Sequence, residues 1–167
     1  MAFDTYLKIT SPDVAGEATA SDHEGWIEIY SFSWGASNPT TIGSGTTGLA
    51  AGKVSISSFN IMKKTEASSC PLFAACCAGQ HFKEAVVDMR KATGTDGQQQ
   101  TFLKYTFSDV MVESIQWSGS SGGDDSPTES VSLAFAKVAI EYSKQDTEAG
   151  GMTPAGNASW DLTKVTK

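Results

Sequence analysis

Apolar and polar residues alternate along most of the chain with the period of two expected of β-strands. FDTYLKI (3–9) puts Phe3, Leu7 and Ile9 on one face and Asp4, Tyr6 and Lys8 on the other. WIEIYSFSWG (26–35) starts the same way, with Ile27 and Ile29 apolar, and then changes parity: Tyr30, Phe32 and Trp34 are apolar, while Ser31 and Ser33 fall between them. KVSISSFNIMK (53–63) slips from Val54 and Ile56 to Phe59 and Ile61. ESVSLAFAKVAIEY (129–142) slips from Val131, Leu133 and Phe135 to Val138, Ile140 and Tyr142. A strand with one buried face keeps its parity, so each slip predicts a β-bulge, a coil through a small barrel, or burial of both faces, one of them against another subunit.

Further strands are expected at 83–91, at 101–107 and 110–117 (a pair bent around Ser108-Asp109), and at 159–165. SSCPLFAACCAGQ (68–80) is the one helix, with Ser69 suited to the N-cap, Pro71 to the first turn and Gly79 to the position past the end. Its apolar stripe is expected to be Leu72, Phe73, Cys76 and Cys77. Residues 11–25 form a polar loop. Residues 36–52 have four glycines and no periodicity, and a loop of that length is commonly functional or disordered. The expectation is one mainly β domain over 1–167: a small β-barrel of two packed antiparallel sheets, one flanking α-helix and a long extended loop, with part of the barrel's outer surface serving as an interface.

Composition narrows the possible partners. The 167 residues are 40% hydrophobic and only 19% charged, with a formal net charge of −7. That balance argues against nucleic acid, whose phosphates are held by Lys and Arg. No apolar run is long enough to cross a bilayer, so membrane insertion is not expected. The first residues, MAFDTYLKIT, alternate and carry a carboxylate, unlike a cleaved signal peptide, so the chain is expected to begin in the cytoplasm and to leave, if it leaves, by a route without one. Cys70, Cys76 and Cys77 are odd in number and clustered, which argues against a disulfide framework.

Candidate chemistry is sparse. GTTGLAAGKV departs from a phosphate-binding loop at Thr47 and Val54 and leads into a strand. Cys70, Cys76, Cys77 and His81 lack a metal-site spacing, and the cysteines read as small apolar residues packing the helix on the barrel. His23, between Asp22 and Glu24, has no nucleophile at a telling spacing. Asp124-Asp125 lacks a calcium-loop pattern and reads as a solvated turn. No catalytic residue, cofactor or metal is assigned.

Six motifs in order carry a resemblance: the opening MAFDTYLKI; the loop from Gly16-Glu17-Ala18 to His23; Ser33-Trp34-Gly35; the helix start Ser68-Ser69 with Gly79-Gln80-His81 beyond it; ESVSLAF (129–135); and SWDL (159–162). Together they span essentially the whole chain, and the sequence resembles the haemolysin-coregulated protein (Hcp) family, the tube protein of bacterial type VI secretion. It departs from the family pattern at Ala18 and Ala20, at Cys70, where a proline is usual, and at Ser159, where glycine is common. No fused effector domain is expected.

The resemblance implies a homo-hexameric ring with a wide channel. Rings would stack into a tube inside a contractile sheath, beneath a VgrG-like secretion spike and on a baseplate, and be exported to the extracellular space or a target cell with effector proteins in the channel. It makes Ser33, with Ser31 beside it, a candidate channel-lining and cargo residue. It makes the long loop, through Thr40, Thr41, Ile42, Thr46, Thr47 and Leu49, a candidate ring-stacking element. The alternatives are a tail-tube subunit of a related phage-like contractile particle and a monomeric ligand-binding β-sandwich; a small hydrolase ranks last.

Overall fold

A computed structural model of the chain describes residues 2–42, 49–93, 97–123, 125–146 and 151–167, with only the backbone of 49 and 50. In chain order the elements are β1 (Asp4–Thr10), β2 (Ile27–Ile29), β3 (Ser31–Ser33), β4 (Ala36–Ser37), β5 (Thr40–Ile42), β6 (Leu49–Ala51), β7 (Ser55–Ile56), β8 (Phe59–Lys64), α1 (Ser69–Ala78), β9 (His81–Ala92), β10 (Gln99–Ser118), β11 (Thr128–Gln145) and β12 (Met152–Asp161). The expected small barrel is present, and its two packed layers are halves of one antiparallel sheet of eight strands. The order is β2-β1-β9-β10-β11-β8-β3, and β12 adds to β11.

The two ends of that path, β2 and β3, are consecutive in the chain, which explains the first parity slip. Ile27 and Ile29 are buried on β2, which pairs with β1. At Tyr30 the chain steps to the other edge of the sheet, where β3 pairs with β8. The Tyr30 N–H donates to the Met62 carbonyl at 2.8 Å, and the two edges are drawn into a nearly closed barrel. Phe32 and Trp34 then pack against the core, as their new parity requires. Tyr30 itself, expected inside with them, is 60% exposed: it is the corner residue, and its ring faces out against Lys64 at 5.7 Å.

The second slip is also a break in the chain. β7 leaves the barrel to pair with β4, and Ser57-Ser58 separate it from β8, where Phe59 and Ile61 are buried. The third is a crease that crosses neighbouring strands at one level. In β9 the buried positions change from Phe82 to Ala85, Val87 and Met89; in β10 from Phe107 to Val110 and Val112; in β11 from Val131 and Leu133 to Val138. The ladder between β10 and β11 keeps its register across Asp109, which adopts φ 55°. Aspartate tolerates this left-handed conformation better than most residues. The strands expected at 101–107 and 110–117 are therefore one twenty-residue strand folded at Asp109.

The core contains an aromatic cluster in which Phe107 meets Phe135 at 4.5 Å, Phe59 at 4.8 Å and Trp34 at 5.6 Å between ring centroids. The outer face of β1 and β9 is covered as well. Tyr6, expected to face solvent, is buried beneath His23, with ring centroids 5.3 Å apart, and Phe3, expected in the core, is half exposed ahead of β1. Burial is the main effect pushing the Tyr6 phenol above its ordinary pKa, assisted by the charges of Asp4 and Glu28. The polar loop 11–25 supplies this cover through Val14, Ala18 and His23.

Two terminal assignments shift. Ser68, not Ser69, is the N-cap of α1, and no side chain caps the helix there; Ser69 faces inward. Gly79 closes the helix in the left-handed conformation, as its position suggested. Leu72 and Ala75 form the buried face, whereas Phe73 is half exposed, Cys70 and Cys77 are exposed and Cys76 is intermediate, so the cysteines do not as a group pack the helix on the barrel. The last strand is Met152–Asp161, with almost no apolar alternation; residues 162–165, expected to continue it, turn instead around the Asp161 carboxylate, which accepts from the Thr163 hydroxyl at 2.6 Å.

Candidate assembly surface

The sequence-predicted residues fall on β3 and on the segment that follows it. Ser31 and Ser33 are exposed on β3, flanking the inward Phe32. Beyond Gly35 the segment expected to be an irregular loop is a β-hairpin arm. At its base, β4 pairs with β7; further out, β5 pairs with β6 through Thr40↔Ala51, Thr41↔Ala50 and Ile42↔Leu49. The base is clipped to the barrel: Gly35 N–H donates to the Ser57 hydroxyl at 2.9 Å, and Ser57 N–H donates to the Gly35 carbonyl at 2.9 Å.

Gly52 is required on this arm. Its N–H donates to the Pro39 carbonyl at 2.8 Å, and a Cβ there would lie 2.6 Å from the Pro39 ring. Thr40, Thr41 and Ile42 are all exposed, Ile42 at 81%. Leu49 is placed by its backbone in β6; Thr46 and Thr47 lie outside the described residues. From Gly35 to Gly52 the chain carries no charged residue.

An open cleft of about 580 Å³ lies at the other end of β3, where the start of β1 approaches the Tyr30 corner. Its apolar wall includes Phe3, Ile29 and Phe32; Asp4 and Glu28 make it acidic. The Asp4 carboxylate is held by the side-chain amide of Gln99.

Two buried polar clusters support this surface. Lys63 and Glu129 are completely buried and form an ion pair at 2.5 Å. The Ser69 hydroxyl donates to Glu129 at 2.8 Å and accepts from the Lys63 ammonium at 3.1 Å, which ties the start of α1 to β8 and β11. The parity of Phe59, Ile61 and Lys63 and of Glu129, Val131 and Leu133 could have located this pair in the sequence. The second cluster joins His23 to Asp88 at 2.7 Å, both buried, with the His23 ring tilted against that of Trp26, centroids 4.2 Å apart. Beside it Arg90 donates to the carbonyls of Ser21 at 3.1 Å and Gln99 at 2.7 Å. His23 thus pins the covering loop to β9.

Among the described residues, no group of three or more His, Cys, Asp or Glu side chains is placed to hold a metal ion, and no helix is long and apolar enough to cross a membrane. His81 is exposed at the start of β9, apart from His23, and Asp125 is exposed in the turn before β11, while Asp124 lies outside the described residues.

The fold is that of a mainly β protein with a barrel body and a hairpin arm. Residues 6–142 match the family model described as type VI secretion system effector, Hcp. The chain is 36% identical to protein hcp1 of Pseudomonas aeruginosa over 148 residues, covering 89% of this chain and 88% of that one. It superposes on a solved type six secretion system protein with a TM-score of 0.90 at 37% identity, covering 99% of both chains. It also superposes on Hcp1 from Salmonella typhimurium with a TM-score of 0.76 at 31% identity, again over 99% of each. The chain belongs to the Hcp family of type VI secretion, a family of structural, secreted tube proteins and not of enzymes.

Proposed function

We propose that the chain forms hexameric rings that stack into the inner tube of a type VI secretion system, are exported from the bacterial cytoplasm with it, and carry effector proteins in the channel. The observation that carries this reading is the uncharged, exposed hairpin arm on a barrel of this family: a segment of that kind suits contact between copies of a chain that is otherwise net negative. Repeated heterologous contacts close a ring when the rotation closes, and the number six is taken from the family resemblance. A VgrG-like spike, a contractile sheath and a baseplate are the partners such a tube requires.

Ser31 and Ser33 face away from the core on β3, which suits residues lining an aqueous channel. Six chains of formal charge −7 repel one another's rings at low salt, so free rings stay apart and a baseplate nucleates the tube. Rising salt should promote stacking of purified rings, and an absence of any salt effect counts against this step.

The cargo role is tested with Ser33→Trp. Rings seen by negative-stain microscopy should be unchanged, while co-purified effector falls. Intact rings with undiminished effector retention would remove Ser33 from the channel reading.

A further inference from the structure

Strand register extends the Ser31 and Ser33 face across β8, β11 and β10. In one cross-strand row Ser31 lies opposite Met62, Met62 opposite Ser130, and Ser130 opposite Gln116. In the next row Ser33 lies opposite Asn60, and Asn60 opposite Ser132. The residues that alternate with these, Ile61 and Lys63 on β8 and Val131 and Leu133 on β11, are buried, so both rows face away from the core.

Two properties decide what this face can hold. The first is charge: neither row carries any, on a chain of net charge −7. Two charged groups beside it are engaged within the chain. The Lys64 ammonium lies over the Tyr30 ring at 5.7 Å, and the Glu113 carboxylate accepts from the Ser58 hydroxyl. The second is Met62, the one apolar side chain in the two rows, which is 44% exposed although Phe59 and Ile61 before it are buried. Its cross-strand neighbours are serines, whose hydroxyls both donate and accept. Asn60, two residues before it, is fixed in place: its amide donates to the Ser58 carbonyl at 3.2 Å, and its side-chain oxygen accepts from the Ser132 hydroxyl. Methionine is unbranched and polarisable, so it packs against apolar groups of many shapes. A single thioether in an uncharged polar field therefore selects an apolar group and discriminates neither acid nor base.

We infer that Met62 is the anchor of the cargo face: an exposed apolar side chain of an effector packs on its thioether, while the flanking hydroxyls and amides meet polar groups of the same segment. The inference rests on the channel reading and names the class of cargo, a protein segment selected by exposed apolar groups and not by its charge. Each contact is weak alone. A ring of six presents six equivalent thioethers, and repetition raises the affinity of a segment that carries several apolar groups.

The test uses rings of the full chain and two labelled peptides of Gly, Ser and Asn, alike except that one carries spaced phenylalanines where the other carries alanines. Fluorescence anisotropy should show the parent rings binding the phenylalanine peptide about tenfold tighter than the alanine peptide. That preference should survive when the asparagines of both peptides are replaced by Glu or by Lys. Met62→Ser should leave the rings unchanged in negative-stain images and bring the two peptides level, and Met62→Leu should keep the preference. Phe73→Ser, at an exposed aromatic on α1, should leave the preference as it is. A preference undiminished in Met62→Ser, or absent from intact parent rings, overturns the anchor and leaves the channel reading standing. A preference lost with either charged peptide pair overturns the selection without charge. Rings that fall apart on Met62→Ser make Met62 a contact between copies and overturn the anchor as well. A parent chain that forms no rings overturns the channel reading beneath it.

Discussion

The barrel body and the arm are built on opposite terms. The body buries a continuous apolar core and, within it, a fully buried Lys63–Glu129 pair held by Ser69. Among the described residues the arm is paired only to itself beyond its base; it carries no charge between Gly35 and Gly52 and leaves Ile42 in solvent. The body closes its buried ion pair within one chain, whereas the described arm leaves its largest apolar side chain, Ile42, to solvent. On the proposed assembly, stability and contacts between copies belong to different segments, and substitutions should separate them.

The largest effect belongs to the body. Glu129→Ala takes the 2.5 Å partner from a fully buried ammonium, leaving it the Glu66 carboxylate at 3.6 Å, the Lys64 carbonyl and the Ser69 hydroxyl, and should cost about 3 kcal/mol in denaturant unfolding, whereas Lys63→Met combined with Glu129→Leu should recover most of that loss. If Glu129→Ala and the double variant unfold together, the pair does not hold α1 to the barrel in the way described. Thr41→Ala on the arm should change unfolding by less than about 0.5 kcal/mol, as exposed substitutions away from special contacts do. A large loss there would mean that the arm is part of the cooperative body.

Asp161, the last residue of β12, sharpens the contrast further. Its carboxyl is held below its ordinary value of 3.8, chiefly by the Thr163 hydroxyl and then by the Lys164 N–H. A carboxyl lowered on folding contributes stability above its ordinary value, and that contribution disappears as pH falls through the lowered one. Asp161→Asn should therefore be slightly less stable than the parent at neutral pH and equal to it in strong acid. A difference that persists in acid would mean that the charge of Asp161 is not responsible.

The slips in alternation were legible in the sequence, and each has a physical origin in the fold. The slip at Tyr30 is the change from one sheet edge to the other, that at 56–59 is the departure of β7 into the arm, and that at 135–138 is the crease opposite Asp109. Pattern alone misplaced Tyr30, because a corner residue belongs to neither strand. The arm itself was hidden, since a hairpin with no buried face has no reason to alternate. The same applies to β12, whose MTPAGNASWD is exposed over most of its length. Lys63 and Glu129 continue the buried parity of their strands, yet alternation alone assigns the pair no role, because an isolated buried charge is rare and its partner lies 66 positions away in the chain. His23 was read as a loop histidine, and its partner Asp88 is likewise distant.

The central claim is that this chain is an assembling subunit whose free form is incomplete. The most direct measurement is its native mass and negative-stain appearance across a range of concentrations. The account predicts ring particles with a central hole and about six times the 17.6 kDa chain mass. A single-chain mass at every concentration, with no ring in the images, would contradict it.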